Sequence, residues 1–354
     1  MNPSASVWSG RRVLLTGHTG FKGAWLSLWL AELGAQVTGL SDGIPTERSL
    51  FEDASISEIL TDRRADIRDF DSVRYVVREV DPDIILHLAA QPLVLLSYAQ
   101  PLLTYATNVM GTAHVLEAAR LHGNGCPVVV VTTDKCYENR EWLWGYRETE
   151  AMGGHDPYSS SKGCAELVAS AYARSYTKAG SGFRTLTARA GNVIGGADWA
   201  ADRLIPDLIR AYEKGESVGI RKPDSIRPWQ HVLEPLSGYL LLAESLMAGQ
   251  EVASQGWNFG PGTDAEVTVR DVADRVSQIL AAGKGWHFSG DPNDLHEAQT
   301  LRLDSTKART KLGWKPRWKL DRALEATIEV YRCDAKGPQL RQTVARQIAD
   351  YVSS

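Results

Sequence analysis

Tyr158 and Lys162 stand four residues apart in Asp156-Pro157-Tyr158-Ser159-Ser160-Ser161-Lys162, just ahead of an apolar stretch with helical spacing. On a helix that spacing puts both side chains on one face. A phenol titrates near ~10 and is a poor base at neutral pH. A neighbouring ammonium, or a cationic ring brought by a ligand, would favour phenolate and let Tyr158 take a hydroxyl proton. A second pairing follows the apolar run Val128-Val129-Val130-Val131, where Thr132-Thr133-Asp134-Lys135 sets an acid beside an amine. Such a pair suits proton transfer in both directions. Adjacent residues of a regular strand point to opposite faces, so Asp134 and Lys135 can serve one substrate only if the backbone turns at Asp134. Read blandly, the first pair is a surface tyrosine and lysine at accidental spacing, and the second is a solvated strand end. The elements around them decide.

Thr16-Gly17-His18-Thr19-Gly20-Phe21-Lys22-Gly23 follows Arg12-Val13-Leu14-Leu15 and leads into Ala24-Trp25-Leu26-Ser27-Leu28-Trp29-Leu30, in the order strand, glycine turn, helix. Three glycines allow a tight bend, close approach of a pyrophosphate and seating of the helix on the strand, with the helix amino terminus facing the anion. The turn therefore predicts a bound dinucleotide. Apolar runs of strand length recur at Val13 to Thr16, Gln36 to Leu40, Ile84 to Leu88, Val128 to Thr132 and Thr185 to Ala190, separated by helical periodicity. This alternation predicts an α/β fold, a Rossmann-type doubly wound parallel sheet whose strands are continuous apolar runs because both faces are buried. Ligands of such sheets gather at the carboxyl ends of the strands. Trp25, Leu28 and Trp29 have the spacing of a helix core and are assigned to packing.

After Ala190 the rhythm breaks into Gly191 to Trp199, a helical stretch near Ile205 to Gly215, and Pro- and Arg-rich sequence to Pro228. A helical stretch near Leu233 to Leu246 and the apolar Trp257-Asn258-Phe259 are expected to return to the sheet. The expected division is a dinucleotide-binding domain over 1–190 with a return segment at about 229–260, and a smaller, interleaved substrate-binding lobe mainly over 191–228 and 261–354. The 354 residues are 43% hydrophobic and 23% charged with a net charge of -4, values of a soluble globular protein with no call for nucleic acid. No apolar stretch suits a secretory signal or a bilayer span, so no membrane partner and a cytoplasmic location are expected. Cys126, Cys136, Cys164 and Cys333 lack CxxC spacing, and the histidines show no HxxxH or HExxH arrangement. Reduced thiols and no metal are expected.

Nearly end to end, the chain resembles the extended short-chain dehydrogenase/reductases of the sugar-nucleotide dehydratase and epimerase type. The resemblance is carried by Thr16 to Gly23, His87 to Val94, Thr107 to Thr112, Thr133 to Tyr137, Trp142 to Glu148, Tyr158 to Glu166, Ala190 to Trp199, Asp202 to Pro206 and Ser225 to Val232. Lys135 discriminates within it: the branch acting on CDP-glucose has Asp-Lys where the dTDP-glucose branch has Asp-Glu. The family's usual arginine after Gln91-Pro92-Leu93-Val94 is Leu95 here.

The resemblance implies a 4,6-dehydration of CDP-glucose in deoxysugar and O-antigen precursor synthesis. Hydride leaves C4 for NAD while Tyr158, aided by Lys162 and Thr133, removes the O4 proton. The ketone acidifies C5, and water is lost with Asp134 as acid and Lys135 as base or positioning group. Hydride then returns to C6. For NAD the implied contacts are Gly17, His18, Gly20, Phe21, Lys22, Gly23, Ser41, Asp66, Ile67, Leu88, Ala89, Ala90, Asn108, Tyr158 and Lys162. Asp42, after Leu40-Ser41, could take ribose hydroxyls and repel a 2'-phosphate, whereas nearby Arg48 would matter if it pointed the same way. For the substrate they are Gln91, Asn192, Arg203, Arg221, Arg227 and His231, with Arg227 leading for the diphosphate because a guanidinium grips phosphate bidentately. A homodimer through the helices near Pro101 to Leu121 and Tyr158 to Tyr176 is also implied. Two other readings stay open: a sugar-nucleotide 4-epimerase, against which Asp134-Lys135 argues, and a non-catalytic dinucleotide sensor, against which Thr133, Tyr158 and Lys162 argue.

Overall fold

The computed structural model describes residues 1–123, 125–178, 181–250, 252, 256–262, 265–280, 285–290 and 298–354. Its strands are β1 (Arg12–Thr16), β2 (Gln36–Ser41), β3 (Thr61–Arg64), β4 (Ile84–His87), β5 (Pro127–Val131), β6 (Arg184–Arg189), β7 (Val193–Ile194), β8 (Val218–Ile220), β9 (Ile226–Pro228), β10 (Gln230–His231), β11 (Gly256–Asn258), β12 (Glu266–Thr268) and β13 (Trp286–Phe288). Seven of them form one sheet in the order β11-β6-β5-β4-β1-β2-β3. Every pairing in it is parallel. The five strands expected from the sequence are β1, β2, β4, β5 and β6. Of these, β5 shows why the signal was clear, since Val128, Val129, Val130 and Val131 are all buried. The segment Trp257-Asn258 returns to the sheet beside β6 as expected. By contrast, β3 has the sequence Thr-Asp-Arg-Arg and buries nothing fully, which suits a charged edge strand and hides it from a search for apolar runs.

Registry brings the strand ends into line. Thr16 lies opposite Leu40 on one side and His87 on the other. The order reverses at β1, which therefore opens a crevice at its carboxyl end. Thr16 clasps this edge: its Oγ1 meets His87 Nδ1 at 2.7 Å and accepts from Ala89 N at 3.1 Å.

The long helices are α1 (Phe21–Glu32), α2 (Phe70–Val80), α3 (Gly111–Leu121), α4 (Pro157–Tyr176), α5 (Leu204–Lys214), α6 (Leu233–Met247), α7 (Val269–Leu280), α8 (Leu320–Tyr331) and α9 (Pro338–Ser353). Gly23 to Leu30 of α1 are buried without a break, so this helix needs cover on its outer side as well as the sheet beneath. The chain's last helix supplies it, with the Trp29 and Tyr351 rings edge to face at 5.8 Å. Thus α9, in the segment assigned above mainly to the substrate lobe, packs against the dinucleotide side. Trp25, Leu28 and Trp29 are core residues, at 0%, 4% and 1% exposure. Outside the large sheet lie three two-stranded pairs, β10-β7, β12-β9 and β13-β8.

Candidate active site

The chain turns where the chemistry requires it. Leaving β5, Thr133 is extended and Asp134–Cys136 form a 3-10 turn. Thr133 Oγ1 donates to Asp134 Oδ1 at 3.0 Å and accepts from Lys135 N at 3.4 Å. Asp134 and Lys135 consequently line one cavity of about 630 Å3 together with Thr133 and Tyr158. Tyr158 is in the first turn of α4, which is set by Pro157 and by Asp156, whose Oδ1 accepts from Ser159 N at 2.9 Å. One helical turn on, Lys162 is buried too.

Burial governs the protonation of this cluster. Asp134 is 2% exposed. Desolvation raises its pKa against the pull of Lys135, Thr133, Arg227 and Lys22, so burial outweighs the neighbouring cations and favours the carboxylic acid. Its Oδ2 has no hydrogen-bond partner and presses on Gly191, whose added Cβ would lie 1.6 Å away. Burial pushes Lys162 down to about 8, partly offset by Glu166. Tyr158 is pushed up to about 12, again by burial, with the Thr133 hydroxyl pulling it back. Protein groups alone therefore leave a phenol here, a correction to the expectation that the lysine neighbour brings it toward phenolate.

The glycine turn has the shape a dinucleotide needs. Gly17 is left-handed (φ +76°) and a Cβ there would lie 2.7 Å from Ala89 N, while at Gly23 it would lie 2.1 Å from Gly17 O. At Gly20 the nearest atom is 3.5 Å away, which leaves room for close approach beside the amino terminus of α1. Leu88, Ala89 and Ala90 are half-buried at the adjoining strand end, and Phe21 rises from the turn toward Gly195. Asp66 is partly exposed and paired with Arg68, and Ile67 is buried against Gly111. Arg48 points away from this region, stacking 3.4 Å over the Trp199 ring and pairing with Glu213 at 2.9 Å.

Several expected contacts are framework instead. His18 is fully buried, with Nε2 on Asp62 at 3.0 Å, Nδ1 on Ser41 Oγ at 3.2 Å and its ring edge-on to Phe51. The His18 and Ser41 side chains thus tie the turn to β2 and β3. Asn108 has its Nδ2 on Gln91 O at 3.0 Å and Ser161 Oγ at 2.9 Å, and its Oδ1 on Gln91 N at 2.8 Å. Gln91 in turn holds Leu93 by both its main-chain groups and donates to Thr104 Oγ1 at 2.8 Å. These two amides shape the loop after β4, and all of their N–H donors are engaged in it.

On the substrate side, Asn192, Arg203, Arg221 and Arg227 line the cavity with Lys135. Arg203 is bound to Asp198 at 2.7 Å. Arg227 donates to the carbonyls of Ile226, Ala298 and Gln299 at 3.0, 2.6 and 3.1 Å. His231 does not join them: it is buried between the rings of Trp25 and Trp318, 5.6 and 4.8 Å away. It follows Gln230 on a strand, so it faces the other way; Gln230 instead reaches the carbonyls of Gly191 and Phe259.

Sequence reasoning missed three features. Asp198 and Leu204 line the cavity. Lys22, expected at the cofactor, extends into this same cavity. Beneath the site, Glu166 and Arg189 form a buried pair at 2.7 Å, with Thr132 and Thr187 hydroxyls donating to Glu166 and Arg189 donating to Tyr137 OH at 2.6 Å. The signal available for it was Glu166 at four residues past Lys162, the next position along the same helix face. Among the described residues there is no cluster able to hold a metal ion and no helix long and apolar enough to cross a membrane.

The GDP-mannose 4,6-dehydratase family model matches residues 14–327. The chain is 50% identical over 353 residues to a CDP-glucose 4,6-dehydratase of Salmonella typhimurium, covering 99% of this chain and 98% of that one. It is 26% identical to dTDP-glucose 4,6-dehydratase 1 of Escherichia coli, over 92% of this chain and 94% of the other. A crystal structure of a Streptomyces venezuelae dTDP-glucose 4,6-dehydratase with NAD and TYD bound is similar with a TM-score of 0.77 at 26% identity, covering 91% of this chain and 97% of that chain. A Thermotoga maritima UDP-glucose 4-epimerase structure reaches 0.79 at 23% identity, covering 90% of this chain and 98% of that chain, a likeness of fold.

Proposed function

Because the chain belongs to the GDP-mannose 4,6-dehydratase family, we propose that it converts CDP-D-glucose to CDP-4-dehydro-6-deoxy-D-glucose and water, with NAD as its cofactor. The observation that carries this reading is the turn at Asp134, which sets an acid and an amine in the cavity that also contains Tyr158. The residues suited to hold NAD are Gly17, Gly20, Phe21 and Gly23 of the turn, Asp66 and Ile67, Leu88 to Ala90, Tyr158 and Lys162. Bound there, NAD would supply the acceptor for the C4 hydride and the donor for its return at C6.

The protein moves the protons. Tyr158 takes the O4 proton as the C4 carbonyl forms; the positive charge of a bound nicotinamide ring would favour the phenolate that does so. Lys135 draws the C5 proton to its amine nitrogen. Asp134, held as the acid by burial, gives its proton to the C6 hydroxyl, which leaves as water while the C5–C6 double bond forms. Reduction at C6 takes a proton back at C5 from Lys135; as product departs Tyr158 releases the O4 proton to solvent and Asp134 takes one up, so the cycle closes with no net proton gained or lost. Thr133 orients both Asp134 and the reacting hydroxyl.

Incubation with CDP-glucose tests the reading by mass. A product lighter by one water supports it; an isomer of unchanged mass would make the protein an epimerase. Deuterium at C4 is expected to reappear at C6.

We further propose a homodimer through the helical face that includes α3 and α4. It is supported by the exposure of Leu102, Met110 and Leu167, at 83%, 52% and 59%, on the helical segment 101–110 that leads into α3 and on α4. A solution mass equal to one chain would refute it. Work in the cytoplasm is proposed from the four unpaired cysteines, which suit a reducing compartment.

A further inference from the structure

Lys22 sits in the first turn of α1, where the helix dipole disfavours a cation. It is half-buried, and its nearest charged neighbours are Arg203 and Lys162, which repel it, and Asp134 and Asp198, which attract it. Asp198 is already bound to Arg203 at 2.7 Å, and burial favours the neutral form of Asp134. Among the described residues no group accepts a hydrogen bond from its ammonium. A lysine so placed gains no hydrogen bond for its ammonium within the free protein. Burial and Arg203 hold its pKa down to about 7, so much of it is neutral above that pH.

The arginines expected at the substrate diphosphate are differently situated. Arg203 is engaged by Asp198, and Arg227 by three main-chain carbonyls. The main-chain amides of the glycine turn already offer the cofactor its donors, whereas the Lys22 side chain extends past them into the substrate cavity.

We propose that Lys22 receives the diphosphate of the nucleotide sugar at the junction of the glycine turn and the sugar pocket, taking up a proton as that anion arrives. This rests on the nucleotide-sugar reading above. The incoming charge restores the full cation, and Lys22⁺ is then held by phosphate.

The test is calorimetric titration of the NAD-loaded protein with CDP near pH ~8, where the lysine is largely neutral, in two buffers of different ionisation enthalpy. The wild type is expected to take up protons on binding. K22M is expected to bind CDP roughly 10- to 100-fold more weakly without that uptake. K22R, permanently charged, is expected to recover affinity while still showing no uptake. Neither variant should melt lower than the wild type, since the lysine is unfavourably placed. Wild-type affinity or undiminished proton uptake in K22M would overturn the proposal. So would loss of NAD by K22M with unchanged CDP affinity at saturating NAD, which would assign Lys22 to the cofactor. Failure of the wild type to bind CDP is seen without any variant and would instead refute the nucleotide-sugar reading.

Discussion

Two buried polar clusters lie about two helical turns apart along α4, at Tyr158 and at Glu166, and they are built on opposite rules. Around Glu166 and Arg189 the carboxylate accepts from two hydroxyls and from the guanidinium, which reaches on to Tyr137. Both groups are 4% exposed and fully charged, Glu166 shifted down and Arg189 up by their mutual attraction against the opposing effect of burial. Around Tyr158 and Asp134 the polar atoms are left short of partners, Asp134 Oδ2 having none, and burial drives the acid and phenol toward their neutral forms. A satisfied charge is a fixed part of the scaffold; a group denied its partners is driven toward its neutral form, which for Asp134 is the form that can donate a proton. The lower cluster supplies rigidity, the upper one reactivity.

Breaking the upper cluster at its base should give the largest change. Tyr158→Phe removes the proton acceptor proposed for O4, and turnover is expected to fall roughly 10^2- to 10^4-fold with little change in melting temperature. Product formation from CDP-glucose, followed by mass, measures it. Normal turnover by this variant would remove Tyr158 from the reaction.

Breaking the lower cluster should show in stability instead. Glu166→Ala leaves Arg189 buried without its partner, and a loss of about 3–5 kcal/mol is expected in denaturant unfolding. A loss below about 1 kcal/mol would show that water or another acceptor replaces the carboxylate.

How much of this contrast was legible in the sequence depends on whether a feature leaves a local signature. The glycine turn did, because Gly17 and Gly23 meet main-chain atoms that tolerate no Cβ. The strands β4 and β5 did, because both faces of a central parallel strand are apolar. β3 did not: an edge strand of charged residues has no apolar pattern to find. His231 and Gln230 were separable only by knowing which face of β10 is inward, a parity no motif records. Glu166 and Arg189 lie 23 residues apart and meet only because α4 packs on β6. Lys22 belongs to the turn by sequence and to the substrate cavity by direction. Short motifs therefore located the chemistry, while the direction of each side chain awaited the fold.

Acid should strain the framework histidines before it touches the carboxylates of the lower cluster. His87 and His231 are buried neutral, with burial pushing each down to about 3. Unfolded, an imidazole titrates near ~6.5, so between these values the unfolded chain binds more protons. Their contribution is thus full above ~6.5 and is lost as pH falls toward 3, at about 1.4 kcal/mol per pH unit for each ring. His231→Gln, measured by denaturant unfolding across that range, should remove one ring's share of the slope. An unchanged slope would mean that the acid sensitivity lies elsewhere.

The smallest stability effect should come from Asp134→Asn, and it bears most directly on the contrast between the clusters. Asp134 has one oxygen on Thr133 and the other against Gly191 without a partner, so a neutral amide of the same shape gives up no charge pairing. Unfolding free energy is expected to stay within about 1 kcal/mol of the wild type. The kinetic signature should be selective: oxidation at C4 needs Tyr158 and continues, whereas loss of the C6 hydroxyl lacks its acid. Reduced nicotinamide should therefore accumulate on mixing with CDP-glucose and be seen by its absorbance, while the dehydrated product forms slowly. If Asp134→Asn lost as much stability as Glu166→Ala, the carboxylate would be structural and the contrast between the two clusters would fail. If turnover continued at the wild-type rate with no reduced nicotinamide visible, the departing hydroxyl would take its proton from another group.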